Sequence, residues 1–266
     1  MVNRKKILIT GAAGTVGRIL YMHLGPWHDV YTPGHQELDL TDRHSVVQYS
    51  MTHQYFDVII HCAVRGANNV DDPDTSIATD NLKMYFNLAD YDSFYGKFIN
   101  IASGCEIGYS PTEISHKVLV EELVAGAMPT TPYGLSKNII ARNVVNDKKG
   151  YNLRLWGLIA QTRIFQKLWQ AVDRGEKEFV IDADRYMDYI SEADLVKIVA
   201  HYVNSDCLLP ADLNMVYQDK FKVSEVVERY IEDNGLELKV KVTGEADTNY
   251  FGSGAKLFQT GILKHG

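Results

Sequence analysis

The chain has 266 residues, of which 45% are hydrophobic and 23% are charged, a composition typical of a globular protein with one large domain or one domain and a smaller lobe. Its formal net charge of −7 argues against a nucleic-acid-binding face, which needs clustered Lys and Arg. The three cysteines lack C-x-x-C spacing, which argues against a disulfide framework or a zinc site and favours a reduced, cytoplasmic protein.

The sequence also argues against a secretory signal, a membrane span and a metal site. The chain enters a strand within a few residues of its start, so we expect no secretory signal, and apolar runs such as Val58-Ile59-Ile60 are far too short for a membrane span. The histidines show no metal-binding spacing. We therefore predict neither a membrane segment nor a bound metal.

Strand and helix patterns alternate along residues 1–157. Buried strands are predicted at 7–10, 30–32, 57–63, 97–102 and 152–156, and helices at 15–24, after the capping residue Asp42, at 74–91 and at 132–147. This β-α-β order predicts an α/β fold with a doubly wound parallel sheet and helices on both faces.

The pattern loosens after Gly157. Helices are predicted near 162–174, 192–203 and 223–234, and strands near 179–181, 213–217 and 237–242. We interpret residues 158–266 as a smaller substrate-binding lobe that closes over the carboxyl edge of the sheet, with segments that can cross between the two parts.

Three glycines follow the first strand in a G-x-x-G-x-x-G pattern and open the first helix. Gly11, Gly14 and Gly17 allow close approach of the backbone, and the free N–H groups of the first turn, around Thr15 and Val16, attract a pyrophosphate. The pattern predicts a dinucleotide-binding turn, although an ordinary strand-to-helix turn has a similar composition.

Tyr133 and Lys137 lie four residues apart on one face of the predicted helix 132–147. A nearby ammonium group favours the phenolate and lowers the Tyr pKa, so the pair suits a general acid for carbonyl reduction. Chance alone also produces such pairs in a chain this rich in Tyr and Lys. Ser103 follows the strand 97–102 and could bind the same substrate oxygen, or simply cap a turn.

The nucleotide end of the cofactor is less clearly defined. Asp39 could accept a hydrogen bond from an adenine amino group. No acidic residue ends the strand 30–32, where one usually holds the ribose of NAD, and this favours NADP. Because only His35 and Arg18 are available as basic partners for a 2′-phosphate, the choice between NADP and NAD stays open. His61, Tyr186, Tyr189 and the C-terminal tyrosines are interpreted as core or rim residues.

Together these motifs resemble the extended short-chain dehydrogenase/reductase family, whose members have a Rossmann domain and a smaller substrate lobe. The similarity covers about 190 residues and rests on motifs in the same order and spacing. They are Thr10-Gly11-x-x-Gly14-x-x-Gly17, His61-Cys62-Ala63, Asn81, Ala102 to Gly108, Tyr133 with Lys137, and Tyr189 to Asp194. The resemblance implies cofactor contacts from Gly11, Gly14, Thr15, Val16, Gly17, Asp39, Leu40, Cys62, Ala63, Asn81, Tyr133 and Lys137.

Within that family, Glu37-Leu38-Asp39-Leu40-Thr41-Asp42 looks like a segment of the sugar reductases, such as GDP-fucose synthase and dTDP-4-dehydrorhamnose reductase. Cys105 stands at the position of an epimerising Cys and is therefore a further catalytic candidate. Residues 157–174 contain no His, so the acid/base pair for epimerisation is incomplete, and an isolated thiol is a poor base. This favours simple keto reduction.

The resemblance implies an NAD(P)-dependent oxidoreductase that reduces the 4-keto group of a nucleotide-linked sugar. On this hypothesis Tyr133 protonates the carbonyl oxygen of the sugar, and Ser103 orients the carbonyl group. Lys137 lowers the pKa of Tyr133 and holds the nicotinamide ribose. The alternatives are an epimerase or dehydratase with tightly bound NAD, although Glu106 stands without the usual Asp partner, and a non-catalytic dinucleotide-binding redox sensor. The family also implies a cytoplasmic homodimer.

Overall fold

A computed structural model describes residues 4–107, 110–111 and 121–263; Gly108 of the family-like segment lies outside these ranges. Strands and helices alternate along most of the chain. The strands are β1 (Lys6–Thr10), β2 (Asp29–Tyr31), β3 (Phe56–His61), β4 (Tyr95–Ser103), β5 (Ser110–Pro111), β6 (Gly150–Leu155), β7 (Glu178–Ile181), β8 (Asp212–Met215), β9 (Lys239–Val242) and β10 (Thr248–Asn249). The α-helices are α1 (Thr15–Leu24), α2 (Arg43–His53), α3 (Ser76–Ala89), α4 (Pro132–Asn146), α5 (Arg163–Asp173), α6 (Glu192–Asn204), α7 (Val223–Asp233) and α8 (Ala255–Thr260).

Six strands form one parallel sheet in the order β2-β1-β3-β4-β6-β8. The chain moves to one side of β1 to form β2 and then to the other side to form β3. This reversal is the topological switch point, where α/β sheets bind ligands beyond the carboxyl ends of their strands. The predicted doubly wound α/β fold is confirmed.

Apolar clusters cover both faces of the sheet. Ile7 and Ile9 of β1 belong to a cluster that includes residues of α1 and α6, whereas Leu8 belongs to a cluster with residues of α2, α3 and α4. Successive side chains of a strand point to opposite faces, so a strand covered on both sides must be apolar throughout. This is why β1 is a continuous hydrophobic run.

A smaller unit contains α5, α7 and a two-stranded parallel sheet of β7 and β9. Its core is formed by residues such as Phe165, Leu168 and Val227. The short strand β10 pairs antiparallel with β5. This pairing places the segment around residue 250 beside the loop that follows β4.

One predicted strand of the smaller lobe belongs to the main sheet. β8 pairs with β6, and Leu195 and Ile198 of α6 pack in the same cluster as β1. Residues 158–266 therefore contribute both to the main sheet and to the smaller unit. The sequence analysis allowed for segments that cross between the two parts. The domain division at residue 157 itself stays a prediction.

Within the described part of the chain, no helix has both the length and the apolar character needed to cross a membrane.

Candidate active site

The turn between β1 and α1 is built so that only glycine fits at two positions. Gly11 has φ +67°, and a Cβ there would lie 2.6 Å from the backbone of Ala63. A Cβ at Gly17 would lie 2.6 Å from the carbonyl oxygen of Gly11. Both contacts are closer than real Cβ atoms approach, so the sequence needs glycine to bring β1, α1 and the end of β3 together.

The first turn of α1 points toward the carboxyl edge of the sheet without a side-chain cap. Gly14 is the N-cap residue and makes no side-chain cap, and no acidic residue lies in the first turn. The N–H groups of Thr15, Val16 and Gly17 have no acceptor within the helix, because the first turn of any α-helix lacks one. This terminus fits the pyrophosphate of a dinucleotide, which the helix dipole would also attract.

The segment after β2 carries Asp39 and Leu40. Asp39 accepts hydrogen bonds from the backbone N–H (2.9 Å) and the hydroxyl (2.7 Å) of Thr41, and the bond from the hydroxyl is the main cause of its lowered pKa. Its second oxygen lies 3.7 Å from Nε2 of His35. Leu40 is buried against the sheet. Asp39 thus has a local role in the loop, and its contact with adenine stays a prediction.

His61 at the end of β3 is a buried structural residue, as the sequence interpretation had it. Its Nδ1 lies 2.9 Å from Oγ1 of Thr10, and burial lowers its pKa to about 3, so the ring is neutral. The hydroxyl of Thr10 also accepts from the N–H of Ala63 at 3.3 Å. Burial raises the pKa of the Cys62 thiol to about 12. The side chains of His61 and Cys62 are therefore uncharged where the sequence places cofactor contacts at Cys62 and Ala63.

Asn81 connects the loop after β3 to helix α4. Its Oδ1 accepts from the backbone N–H of Arg65 (2.7 Å), and its Nδ2 donates to the carbonyl of Arg65 (3.0 Å) and to the hydroxyl of Ser136 (3.0 Å). These contacts fix α3 against the helix that carries Tyr133. A direct contact of Asn81 with the cofactor stays a prediction.

Helix α4 begins one residue before Tyr133. Thr131 caps it by accepting from the N–H of Gly134 at 3.1 Å, and Pro132 occupies the first helical position, where its missing N–H costs nothing. Tyr133 and Lys137 are 5% and 3% exposed. Nζ of Lys137 donates to the carbonyl of Ile101 in β4 at 2.9 Å. Burial lowers the pKa of Lys137.

Ser103 ends β4, and its side chain lies beside that of Tyr133. Burial raises the pKa of Tyr133, and the nearby Ser103 side chain opposes that rise. The pKa of Tyr133 is thus raised, whereas a neighbouring ammonium group was expected to lower it. The loss of water around the phenolate outweighs the other effects. The Tyr133 hydroxyl is therefore protonated in the protein without cofactor.

Cys105 and Tyr250 complete a cluster around Ser103. Sγ of Cys105 lies 3.5 Å from the hydroxyl of Tyr250, and the backbone N–H of Cys105 donates to Oγ of Ser103 at 3.3 Å. A Cβ at Gly104 would lie 2.5 Å from the Trp156 ring and 2.6 Å from the Tyr250 hydroxyl. Sequence reasoning placed the C-terminal tyrosines in the core or at the rim and missed the contact of Tyr250 with Cys105, since only tertiary structure brings residue 250 to residue 105.

Glu106 faces away from this cluster and into the sheet. It is fully buried, and its Oε1 accepts from the N–H of Ser103 at 2.8 Å. Its Oε2 accepts from Nη2 of Arg154 (3.0 Å) and from Nδ2 of Asn152 (3.2 Å). Burial raises the pKa of Glu106, and the charge of Arg154 opposes the rise. One carboxylate thus fixes the end of β4 to the neighbouring strand.

Sequence reasoning also missed Arg154, although the sequence did contain a signal that this residue has a buried partner. It is fully buried in β6 and also donates to Asp212 (2.9 Å) and Asn214 (3.0 Å) of β8. A charged residue inside the predicted strand 152–156 requires a buried partner. The identity of that partner could not be inferred from spacing.

The structure therefore brings the four catalytic candidates together and places the glycine turn at the same edge of the sheet. Ser103, Cys105 and Tyr133 meet in one cluster, and Lys137 reaches the same strand one turn further along α4. Their roles in catalysis stay predictions.

Comparisons with known proteins show the family of the chain. A family model described as the NAD dependent epimerase/dehydratase family matches residues 7–207. A GDP-L-colitose synthase from Yersinia pseudotuberculosis is 24% identical over 248 residues, which cover 83% of this chain and 79% of that protein. A GDP-L-fucose synthase from Azorhizobium caulinodans is 26% identical over 241 residues, which cover 79% of this chain and 75% of that protein.

A solved structure has the same fold along the whole chain. The GDP-mannoheptose C4 reductase from Campylobacter jejuni, with NADP bound, aligns with a TM-score of 0.78 at 18% identity, covering 100% of this chain and 95% of that chain.

Gly17→Ala is predicted to disrupt the turn. Its methyl group would overlap the Gly11 carbonyl, so we expect a loss of about 1–3 kcal/mol in the free energy of unfolding and at least tenfold weaker NADPH binding. Urea denaturation and fluorescence titration measure the two effects. Gly126→Ala is the control, because a Cβ there meets no atom within 4 Å. Equal behaviour of both variants would contradict the packing described for the turn.

Glu106→Gln is predicted to be strongly destabilising. It removes the charge that compensates Arg154, and breaking a buried ion pair costs about 3–5 kcal/mol. The control is Glu176→Gln, which removes the partner of Arg174 in an exposed pair of 2.7 Å and should cost about 0–1 kcal/mol. Urea denaturation compares the two, and a similar small loss in both variants would show that the buried pair is not structurally important.

Proposed function

Because the chain belongs to the NAD dependent epimerase/dehydratase family, we propose that it reduces the 4-keto group of a sugar linked to a nucleoside diphosphate. The observation that carries the proposal is the cluster of Ser103 and Tyr133 with Lys137 at the end of β4. It lies at the same sheet edge as the glycine turn of β1 and α1, which fits a dinucleotide. When bound, NADPH supplies the hydride for this chemistry.

Tyr133 has the properties of the proton donor in this reaction. Its hydroxyl is protonated because burial raises its pKa, and its side chain lies beside Ser103. As negative charge develops on the carbonyl oxygen, Tyr133 would transfer its proton and Ser103 would donate a hydrogen bond to the same oxygen. The ammonium of Lys137 stabilises the phenolate that remains, and it would hold the nicotinamide ribose.

The environment of Cys105 favours reduction over epimerisation. A thiol must lose its proton to abstract one from a sugar carbon. Burial raises the pKa of Cys105, the nearby Tyr250 and Ser103 side chains oppose the rise, and the carboxylates of Asp71 and Glu106 add to it, so that the pKa is raised overall. Its side-chain neighbour is the neutral hydroxyl of Tyr250. The thiol is therefore suited to line the site rather than to act as a base.

The position of Glu106 also argues against a dehydratase. A dehydratase needs a carboxylic acid that reaches the substrate, whereas the Glu106 carboxylate is fully buried and bonded to Ser103, Asn152 and Arg154. The same contacts leave it no path to a bound sugar. Keto reduction requires no group at this position.

We assign NADP as the preferred cofactor and a guanosine diphosphate sugar as the substrate class. Tyr31 ends β2, so no carboxylate stands there to repel a 2′-phosphate, and the similar C. jejuni reductase binds NADP. The names of the two relatives and of the C. jejuni reductase described above refer to GDP-linked sugars. A tenfold lower Kd for NADPH than for NADH, measured by titration, would support the cofactor assignment.

The homodimer and the cytoplasmic location remain predictions. Light scattering of the purified protein tests the first, and fractionation of the producing cell tests the second.

Tyr133→Phe tests the assigned proton donor. The ring still fills its buried position, so NADPH should bind with unchanged Kd, whereas kcat should fall by about 10² to 10⁴, the usual contribution of general acid catalysis. The decrease in absorbance of NADPH at 340 nm measures turnover.

Tyr202→Phe is the matched control, because Tyr202 is fully buried and its hydroxyl donates to the carbonyl of Pro210 far along the chain from the site. It should keep kcat within twofold of the original protein. A Tyr133→Phe variant with near-normal turnover would eliminate Tyr133 as the donor.

A further inference from the structure

We propose that the ion pair of Asp188 and Lys220 positions the segment 248–252 beside the candidate active site, so that protonation of Asp188 lowers the rate of reduction. The described hydrogen bonds of the two side chains go to each other, to Gly252 and to Tyr217, so both are positioning residues that act through the backbone they hold. The kinetic consequence rests on the proposed keto reduction, whereas the geometry rests on the described contacts.

The segment 248–252 lies against the loop that carries Ser103 and Cys105. Its strand β10 pairs with β5, which follows that loop. The Tyr250 hydroxyl lies 3.5 Å from Sγ of Cys105, and the Tyr250 ring packs on Trp156 with centroids 4.7 Å apart. A displacement of the segment therefore changes the space beside Cys105, where the sugar would bind.

Asp188 holds this segment with both its backbone and its side chain. Its N–H donates to the carbonyl of Tyr250 at 3.0 Å, and its Oδ2 accepts from the N–H of Gly252 at 2.8 Å. A Cβ at Gly252 would lie 2.8 Å from the Trp156 ring, so the backbone lies directly against the indole there. One residue thus fixes the segment on both sides of Phe251.

Lys220 fixes the Asp188 carboxylate in turn. Its Nζ donates to both carboxylate oxygens at 2.9 Å and to the carbonyl of Tyr217 at 2.5 Å. The side chains of Asp188 and Lys220 are 5% and 17% exposed, so the pair is largely shielded from water. A hydrogen bond to an ionised group is about twice as strong as a neutral one, and a buried charge without its partner is strongly destabilising. Loss of the Asp188 charge should therefore weaken its hold on Gly252 and leave Lys220 unpaired.

The charge of Asp188 changes in a mildly acidic range. Burial raises the pKa of Asp188 to about 6, and both the charge of Lys220 and the N–H of Gly252 oppose the rise. Burial lowers the pKa of Lys220, against the charges of Asp188 and Asp219. The nearby buried phenols have raised pKa values and are neutral in this range; they belong to Tyr189, Tyr217 and Tyr250. The ion pair is therefore intact above about pH 6 and lost below it.

The kinetic test compares the pH profile of the original protein with that of the double variant Asp188→Asn/Lys220→Met. Asn can still accept from the N–H of Gly252, and no charge is left buried alone, so the double variant should fold and bind NADPH with unchanged Kd. In the original protein, kcat/KM for a GDP-linked keto sugar should fall about tenfold from pH 7 to pH 5, because about one molecule in ten keeps the charged pair one unit below the pKa. The double variant should have the lower value at pH 7 already and show no further fall.

Glu245→Gln is the matched control, because Glu245 pairs with Lys222 at 2.8 Å in an exposed position. It should keep both the kcat/KM at pH 7 and the fall toward pH 5. A flat profile for the original protein would overturn the inference. So would a double variant that keeps the activity of the original protein at pH 7 or falls with it below pH 6.

A second measurement does not need turnover. In ¹⁵N-labelled protein, the amide resonance of Gly252 should titrate with a midpoint of about pH 6, since its N–H donates to the Asp188 carboxylate, and it should not titrate in the double variant. Hydrogen exchange at the Tyr250 amide, corrected for the intrinsic effect of pH, should be about tenfold faster at pH 5 than at pH 7 as the segment loosens.

The two measurements separate this inference from the proposed function. A Gly252 resonance that does not titrate, or a Tyr250 exchange rate that stays constant, would overturn the inference even if no substrate were found. Failure of every GDP-linked keto sugar to react, with the titration and the faster exchange observed, would instead count against the proposed function alone.

Discussion

Arg154 lies in a central strand of the sheet without exposure to water, so its charge has to be met within the fold. Glu106 and Asp212 meet it from the two neighbouring elements, at 3.0 and 2.9 Å. The same Glu106 carboxylate accepts the N–H of Ser103, and the Glu106 carbonyl accepts from Asn138 of α4 at 2.9 Å. Because one residue connects the sheet interior, the end of β4 and the helix of Tyr133, the buried ion pair determines where the catalytic candidates lie relative to each other.

Burial away from water shifts the pKa values of the residues around Ser103. Burial raises the pKa of Tyr133, Cys105 and Tyr250, so all three carry their protons in the protein without cofactor. Burial lowers the pKa of Lys137 and that of His61. Neutral donors can stabilise negative charge that develops on an oxygen, and among the described residues Tyr133, Cys105 and Tyr250 carry no negative charge. The proposed keto reduction would use these properties.

The elements with a local signal could be predicted from the sequence. The β-α-β alternation, the glycine turn, the cap at Asp42 and the helix start at Pro132 all follow from residues close together in the chain, and the structure has each of them. The family resemblance is confirmed by the match over residues 7–207.

The strand at Asp212–Met215 was predicted but assigned to the smaller lobe, since four residues do not reveal which sheet they join. The contact of Tyr250 with Cys105 and the pairing of Glu106 with Arg154 depend on tertiary packing, which residue spacing does not encode. The pKa of Tyr133 is raised because burial outweighs the other effects, and the sequence does not report burial. The effect of Lys137 on Tyr133 stays a prediction.

Isotope transfer from cofactor to sugar tests keto reduction most directly. NADPH deuterated at the transferable C4 position is incubated with a GDP-linked 4-keto sugar, and a parallel reaction uses unlabelled NADPH in deuterated water. Reduction at C4 predicts one deuterium at C4 of the product for each NADPH oxidised, and no solvent deuterium at the carbons on either side of the keto group. Solvent deuterium at those carbons, or product formation without net oxidation of NADPH, would contradict it.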